Sequence, residues 1–114
     1  MSTPDDDAGR GRLRAEELVR LLAADPAAAE QLLAGLADVR ELTFVGAGLT
    51  GIARAEGRRL PPAQRAQAST RQLRLGQFRD AQRGDVEGLR TWLRRAGEEI
   101  LLIRSLQAAA DRVG

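Results

Sequence analysis

The sequence predicts an all-α fold: a compact bundle of four or five helices with a long C-terminal helix and a disordered acidic N-terminal tail. Apolar residues recur at helical spacing along most of the chain, and no group of segments alternates between apolar and polar residues as strands do. The dipeptides Asp25-Pro26 and Gly84-Asp85 are typical of helix starts. A chain of 114 residues is the usual size of one domain. We therefore expect a single helical domain over residues 12–114, preceded by a tail over residues 1–11.

The N-terminal part is predicted to contain this tail and two helices. Residues 1–11 include three consecutive aspartates and almost nothing that could be buried, which is typical of disorder. An amphipathic helix follows from about Arg12 to Ala24. Asp25 as N-cap and Pro26 at the first helical position begin the second helix. The residues that we expect the second helix to bury are Leu32, Leu33, Leu36 and Val39.

The C-terminal part is predicted to contain two further helices. Pro61-Pro62 precedes a region from Ala63 to about Gln82 that is rich in glutamine and arginine, with apolar contacts expected from Leu73, Leu75 and Phe78. After Gly84-Asp85 the last helix carries apolar residues at heptad spacing. These residues are Val86, Leu89, Leu93, Ala96, Ile100, Ile103 and Ala110. The last helix should therefore be central to the core or shared with a second copy of the chain.

The composition argues against enzymatic catalysis. The chain has no cysteine, histidine or tyrosine, and all of its 18 basic residues are arginines, which do not deprotonate in proteins. Glu98 and Glu99 are adjacent and point apart on a helix, so we expect them to pair with Arg94 and Arg95 one turn earlier. We expect no enzymatic activity, no metal and no cofactor. The sequence suggests no secretory signal and no membrane span, so we expect a cytoplasmic protein.

A glycine-rich segment interrupts the helical pattern between Leu42 and Ala53. It could form a short strand, a glycine-rich turn or a tightly packed helix. Its residues Val45-Gly46-Ala47-Gly48-Leu49-Thr50-Gly51 contain GxGxxG after a short apolar run, and they resemble the dinucleotide-binding fingerprint of Rossmann flavoproteins and dehydrogenases. That resemblance implies a phosphate site at a strand-to-helix turn.

The rest of the Rossmann pattern is missing. The family has a second strand ending in an acidic residue about twenty residues further on, and the window Gln67–Leu75 contains neither. We therefore interpret the glycines as sites of close packing. The alternative is an anion site at the amides of Gly48 to Gly51, supported by nearby arginines.

Two functions from different classes follow from the surface patterns. The first is a helical protein–protein interaction or assembly module, which self-associates as a homo-oligomer or docks a partner through apolar helix faces with charge complementarity. The residues predicted for its interface are Trp92, Leu93, Ile100, Ile103 and Leu106.

The alternative is a small nucleic-acid-binding protein that uses the basic middle of the chain. From Leu42 to Arg83, eight arginines stand against only Glu56 and Asp80. Such a cluster suits phosphates or an acidic partner. The residues predicted for these contacts are Arg54, Arg58, Arg59, Arg65, Arg71, Arg74 and Arg79.

Overall fold

Five α-helices account for nearly all of residues 4–113, which are the residues that the computed structural model describes. The helices are α1 (Pro4–Ala24), α2 (Pro26–Gly35), α3 (Val39–Gly57), α4 (Pro62–Ala81) and α5 (Val86–Val113). Residues 4–113 contain no strand. The predicted all-α bundle with a long C-terminal helix is confirmed.

The three helices α1, α3 and α5 run in the same direction, and α2 and α4 run back between them. Asp7 of α1 pairs with Arg40 of α3, while Ala15 lies beside Gly48 further along both helices. In the same way, α3 meets α5 first at Gly46 and Trp92 and later at Glu56 and Arg104. The core therefore lies among three long parallel helices.

The first helix starts earlier than the expected Arg12. Residues 1–3 of the predicted tail lie outside the described residues, and residues 4–11 belong to α1. Two contacts explain the extension. The Asp7 carboxylate pairs with Arg10 and Arg40, and Gly11 lies directly against the α3 backbone at Phe44. The negative charge of Asp7 is also favourable near a helix N-terminus.

The predicted starts of α2 and α5 are confirmed. The Asp25 carboxylate accepts a hydrogen bond from the Ala28 amide at 3.2 Å, and Pro26 begins α2. Asp85 likewise accepts from the Glu87 amide at 3.1 Å. It follows Gly84, whose φ of +82° favours glycine. These local signals depend only on residues near the helix ends, which is why the sequence suffices to predict them.

The buried residues of α2 are partly as expected. Leu33 and Leu36 are buried and Leu32 packs against the core. Val39 is 38% exposed, because it begins α3 rather than ending α2. The prediction for Val39 is therefore wrong.

The glycine-rich segment lies inside α3, so it is the tightly packed helix among the three alternatives. A Cβ at Gly46 would overlap the Trp92 ring. A Cβ at Gly48 would lie 3.0 Å from the Ala15 Cβ and 3.1 Å from the Arg12 Cα. Gly51 has open space beside it. Two of the three glycines thus permit close approach of α5 and α1 to α3, and the strand that a Rossmann turn requires is not present in residues 4–113.

Three arginine–glutamate pairs tie other helices to α5. Arg94 binds Glu30 of α2 at 2.6 Å, and Arg104 binds Glu56 of α3 at 2.8 Å. Arg71 of α4 binds Glu99 at 2.7 Å. The predicted pairing of Arg94 and Arg95 with Glu98 and Glu99 within α5 is wrong, since Arg94 and Glu99 both bind residues of other helices.

The Arg104–Glu56 pair predicts a pH dependence of stability. Two hydrogen bonds from Arg104 lower the pKa of Glu56 below its usual value of 4.5. Since the folded-state pKa is the lower one, the pair stabilises the fold above about pH 4.5, and this stabilisation is lost as the pH falls through the lowered pKa. Partial exposure limits the contribution to at most about 1 kcal/mol. Glu56→Gln should therefore lower the Tm near neutral pH, and by progressively less as the pH falls below about 4.5. A loss of Tm that stays constant as the pH falls would contradict this assignment.

Candidate functional site

The interface predicted on α5 is occupied by the chain's own core. Leu93, Ile100 and Ile103 have 0% of their surface exposed, and Trp92 has 3%. Leu106 is half-buried and packs against the same core. The structure thus corrects the prediction that these side chains form an interface: α1 and α3 cover the heptad face from within one chain.

A cleft of about 600 Å³ lies between α3 and α4. Small and apolar side chains from three helices line its inner part, and Thr50, Ser69 and Gln72 add hydroxyl and amide groups. The apolar residues of this inner part are Ala53, Ala68, Trp92 and Ala96. A ligand in this cleft would contact both apolar and polar groups.

Four arginines line the cleft, two from each wall. Arg54 and Arg58 are one turn apart on α3 and therefore share a face. Arg65 and Arg79 lie on one side of α4 with Gln72 midway between them. Gly76 lies on the same side of α4 and leaves the cleft open at its centre.

The positive charge of the cleft is concentrated toward the connection between α3 and α4. Asp80 is the one carboxylate in the lining, and it pairs with Arg79 at 3.1 Å and Arg83 at 3.8 Å. Within the described part of the chain, the remaining three arginines have no carboxylate within 4.0 Å. These three are Arg54, Arg58 and Arg65, and we call them the cleft triad. A site with three uncompensated guanidinium groups attracts anions.

No family model, curated protein or solved structure matches the chain. None of the helices in residues 4–113 is long and apolar enough to cross a membrane. The same residues contain no group of three or more side chains placed to hold a metal ion. The chemistry of the cleft is therefore the available guide to function.

The other three predicted arginines lie elsewhere. Arg71 binds the buried carboxylate of Glu99. Arg74 borders a second groove, between α4 and α5. Arg59 lines a hollow between α3 and α5 with Glu56 and Asp111. The seven arginines thus do not form one continuous surface, which corrects their grouping in the sequence.

The position of Trp92 beside the cleft was not predicted. Its ring is held between Gly46 of α3 and the guanidinium of Arg79, whose Cζ lies 5.7 Å from the ring centroid. The sequence does carry a signal for the cleft. Side chains that are small or polar cannot fill the space between two helices, and such residues lie on the facing side of α4, for example Ala68, Ser69 and Gly76.

Proposed function

We propose that this chain is a non-enzymatic protein-interaction module that binds an acidic segment of a partner protein in the cleft between α3 and α4. The observation that carries the proposal is the cleft triad above an apolar lining. Guanidinium groups bind carboxylates through paired hydrogen bonds, and the lining at Ala53, Ala68 and Ala96 would accept a small apolar side chain. The charges of the cleft triad would select an acidic partner, and burial of apolar surface would add affinity.

The cleft favours binding over catalysis. Its arginines stay protonated and cannot act as bases. The Thr50 hydroxyl already donates to the Gly46 carbonyl at 3.0 Å, and no base lies beside Ser69 in the cleft lining. Together with the absence of histidine and cysteine, this supports a module that holds its ligand without changing it. A cytoplasmic location is part of the same proposal.

Nucleic acid is the second candidate, because the cleft triad would also bind phosphates. Two observations favour the acidic protein segment. The predicted arginines are divided among separate surfaces, whereas a nucleic-acid backbone needs a continuous basic track. The two aromatic rings near the cleft and the second groove are also covered: Trp92 is 3% exposed, and the Arg95 guanidinium lies 4.4 Å from the Phe78 ring centroid. Neither ring is well placed for base stacking.

A direct test uses the fluorescence of Trp92, which is the only tryptophan in a chain without tyrosine. A peptide with several glutamates around a leucine should change its emission, because the ligand would enter the cleft beside the ring and compete for Arg79. Mixed-sequence single-stranded RNA and DNA serve as the comparison. Tighter binding of the nucleic acids than of the peptide, at equal salt, would contradict the proposal in favour of the second candidate.

Two neighbouring arginines provide a matched pair of variants. Arg58 lines the cleft, while Arg59 faces the hollow between α3 and α5. Arg58→Glu should weaken peptide binding by at least about tenfold, because it removes a paired contact and places a like charge against the ligand. Arg59→Glu makes the same change in net charge and should weaken binding by less than about threefold. Equal losses would mean that net charge, rather than the cleft, attracts the peptide.

A further inference from the structure

Helix α4 has little contact with the rest of the bundle. Of its residues, Ala68 is the one that is buried, and Leu73 is 64% exposed. The cleft toward α3 lies on one side of α4, and a groove of about 450 Å³ toward α5 lies on the other. The helix therefore touches the bundle along a narrow line, chiefly through Ala68, Leu75 and Phe78.

The two connections of α4 differ in their backbone freedom. At the N-terminal end, Pro61 and Pro62 supply no backbone amide, and no side chain caps the helix. At the C-terminal end, a short turn reaches Gly84, where φ is +82°. Gly84 can therefore supply the backbone rotations by which the angle of α4 changes, whereas Pro61 and Pro62 fix φ at the other end.

A single buried ion pair holds the middle of α4. The Arg71 Nε donates to both carboxylate oxygens of Glu99, at 2.7 and 2.9 Å, and Glu99 is 6% exposed. The Nη2 atom of Arg71 is buried and has no hydrogen-bond partner among the described residues. Removing one member of such a pair leaves the other buried without its counter-charge.

The cleft triad opposes the Arg71–Glu99 pair, because its charges favour movement of α4 away from α3. Arg54 and Arg58 stand on α3, and Arg65 stands on α4 across the same cleft. With no carboxylate near them, these like charges repel each other and favour separation of the two helices. An anion between them would reverse the sign of the interaction and draw α4 toward α3.

We propose that α4 is a hinged clasp over the cleft, held partly closed by the Arg71–Glu99 pair and closed fully by an anionic ligand that bridges the cleft triad. Opening of the clasp exposes Trp92 and admits the ligand, and ligand binding closes it. The closing step rests on the proposed function, whereas the hinge and its ion pair do not.

The hinge is tested by hydrogen exchange measured by mass spectrometry on the full chain, with acrylamide quenching of Trp92 alongside. Glu99→Gln weakens the pair that holds α4, and Glu56→Gln makes the same change in the pair between α3 and α5. Glu99→Gln should speed exchange in α4 by about tenfold and raise the quenching of Trp92, with α1 and α3 unchanged. Glu56→Gln should leave exchange in α4 unchanged.

A milder variant distinguishes local loosening of α4 from unfolding of the whole chain. Arg71→Lys keeps the charge but has no Nε–H, so it should speed exchange in the same segment by a smaller factor. Equal protection of α4 and α3 in the unsubstituted chain, or the same faster exchange in all helices of the Glu99→Gln variant, would overturn the hinge.

The closing step is tested with poly-glutamate as the probe. Saturating poly-glutamate should slow exchange in α4 more than in α1 and should lower the quenching of Trp92. If poly-glutamate binds, is weakened by Arg58→Glu and leaves exchange in α4 unchanged, the clasp is overturned while the proposed function stands. If it fails to bind and Glu99→Gln still loosens α4 selectively, the proposed function fails and the hinge stands.

Discussion

Gly46→Ala is expected to destabilise the fold by about 2–3 kcal/mol, whereas Gly51→Ala is expected to stabilise it by up to about 1 kcal/mol. Both glycines belong to the same motif in the same helix. A Cβ at Gly46 would overlap the ring of Trp92, so either the ring or the packing of α3 on α5 would have to shift. At Gly51 the space is open, so alanine adds only its higher helix propensity.

Urea denaturation of the two variants measures the change in the free energy of unfolding that each substitution causes. Opposite changes in the free energy of unfolding would establish that the glycines at these two positions have different roles. A similar small effect at both positions would contradict the close packing of α3 on α5, and with it the interpretation of Gly46 as a packing residue.

Leu93→Ala is expected to cost about 3–4 kcal/mol of stability, and Leu73→Ala less than about 0.5 kcal/mol. Leu93 has none of its surface exposed and lies at the centre of the heptad face, while Leu73 is 64% exposed on α4. The substitution is the same, so the difference reports burial alone. Denaturation curves give both values.

The same pair of variants bears on the assembly predicted from the sequence. Self-association remains a prediction, but Leu93 is covered by its own chain and should not contribute to it. Light scattering should therefore give the same oligomeric state for the Leu93→Ala variant and the unsubstituted chain under conditions where both are folded. Conversion of a stable oligomer into a folded monomer by Leu93→Ala would restore the interface interpretation of α5.

The parts of the fold that the sequence predicted are those with local causes. The starts of α2 and α5 follow from Asp25-Pro26 and Gly84-Asp85, where cap and helix are neighbours in the chain. The heptad face of α5 is apolar wherever its partner lies, so the helix could be predicted but its partner could not. Whether such a face is covered from within the chain depends on the paths of α1 and α3.

The predictions that were wrong or missing concern contacts between residues that are far apart in the chain. Glu99 has both an arginine one turn earlier and Arg71 far along the chain, and local spacing favours the first. In the fold, Glu99 is buried toward α4, where Arg71 reaches it. The cleft is a similar case, because Trp92 and the cleft triad come from three helices and spacing within one helix cannot place them together.

Titration of the isotope-labelled chain with the acidic peptide, followed by NMR, maps where the peptide binds. If it binds in the α3–α4 cleft, the largest shifts should be at the amides of Thr50 and Gly76 and at the indole N–H of Trp92, with little change along α1 and α2. Largest shifts on α1 or α2, or no shifts at peptide concentrations in large excess, would contradict binding in this cleft.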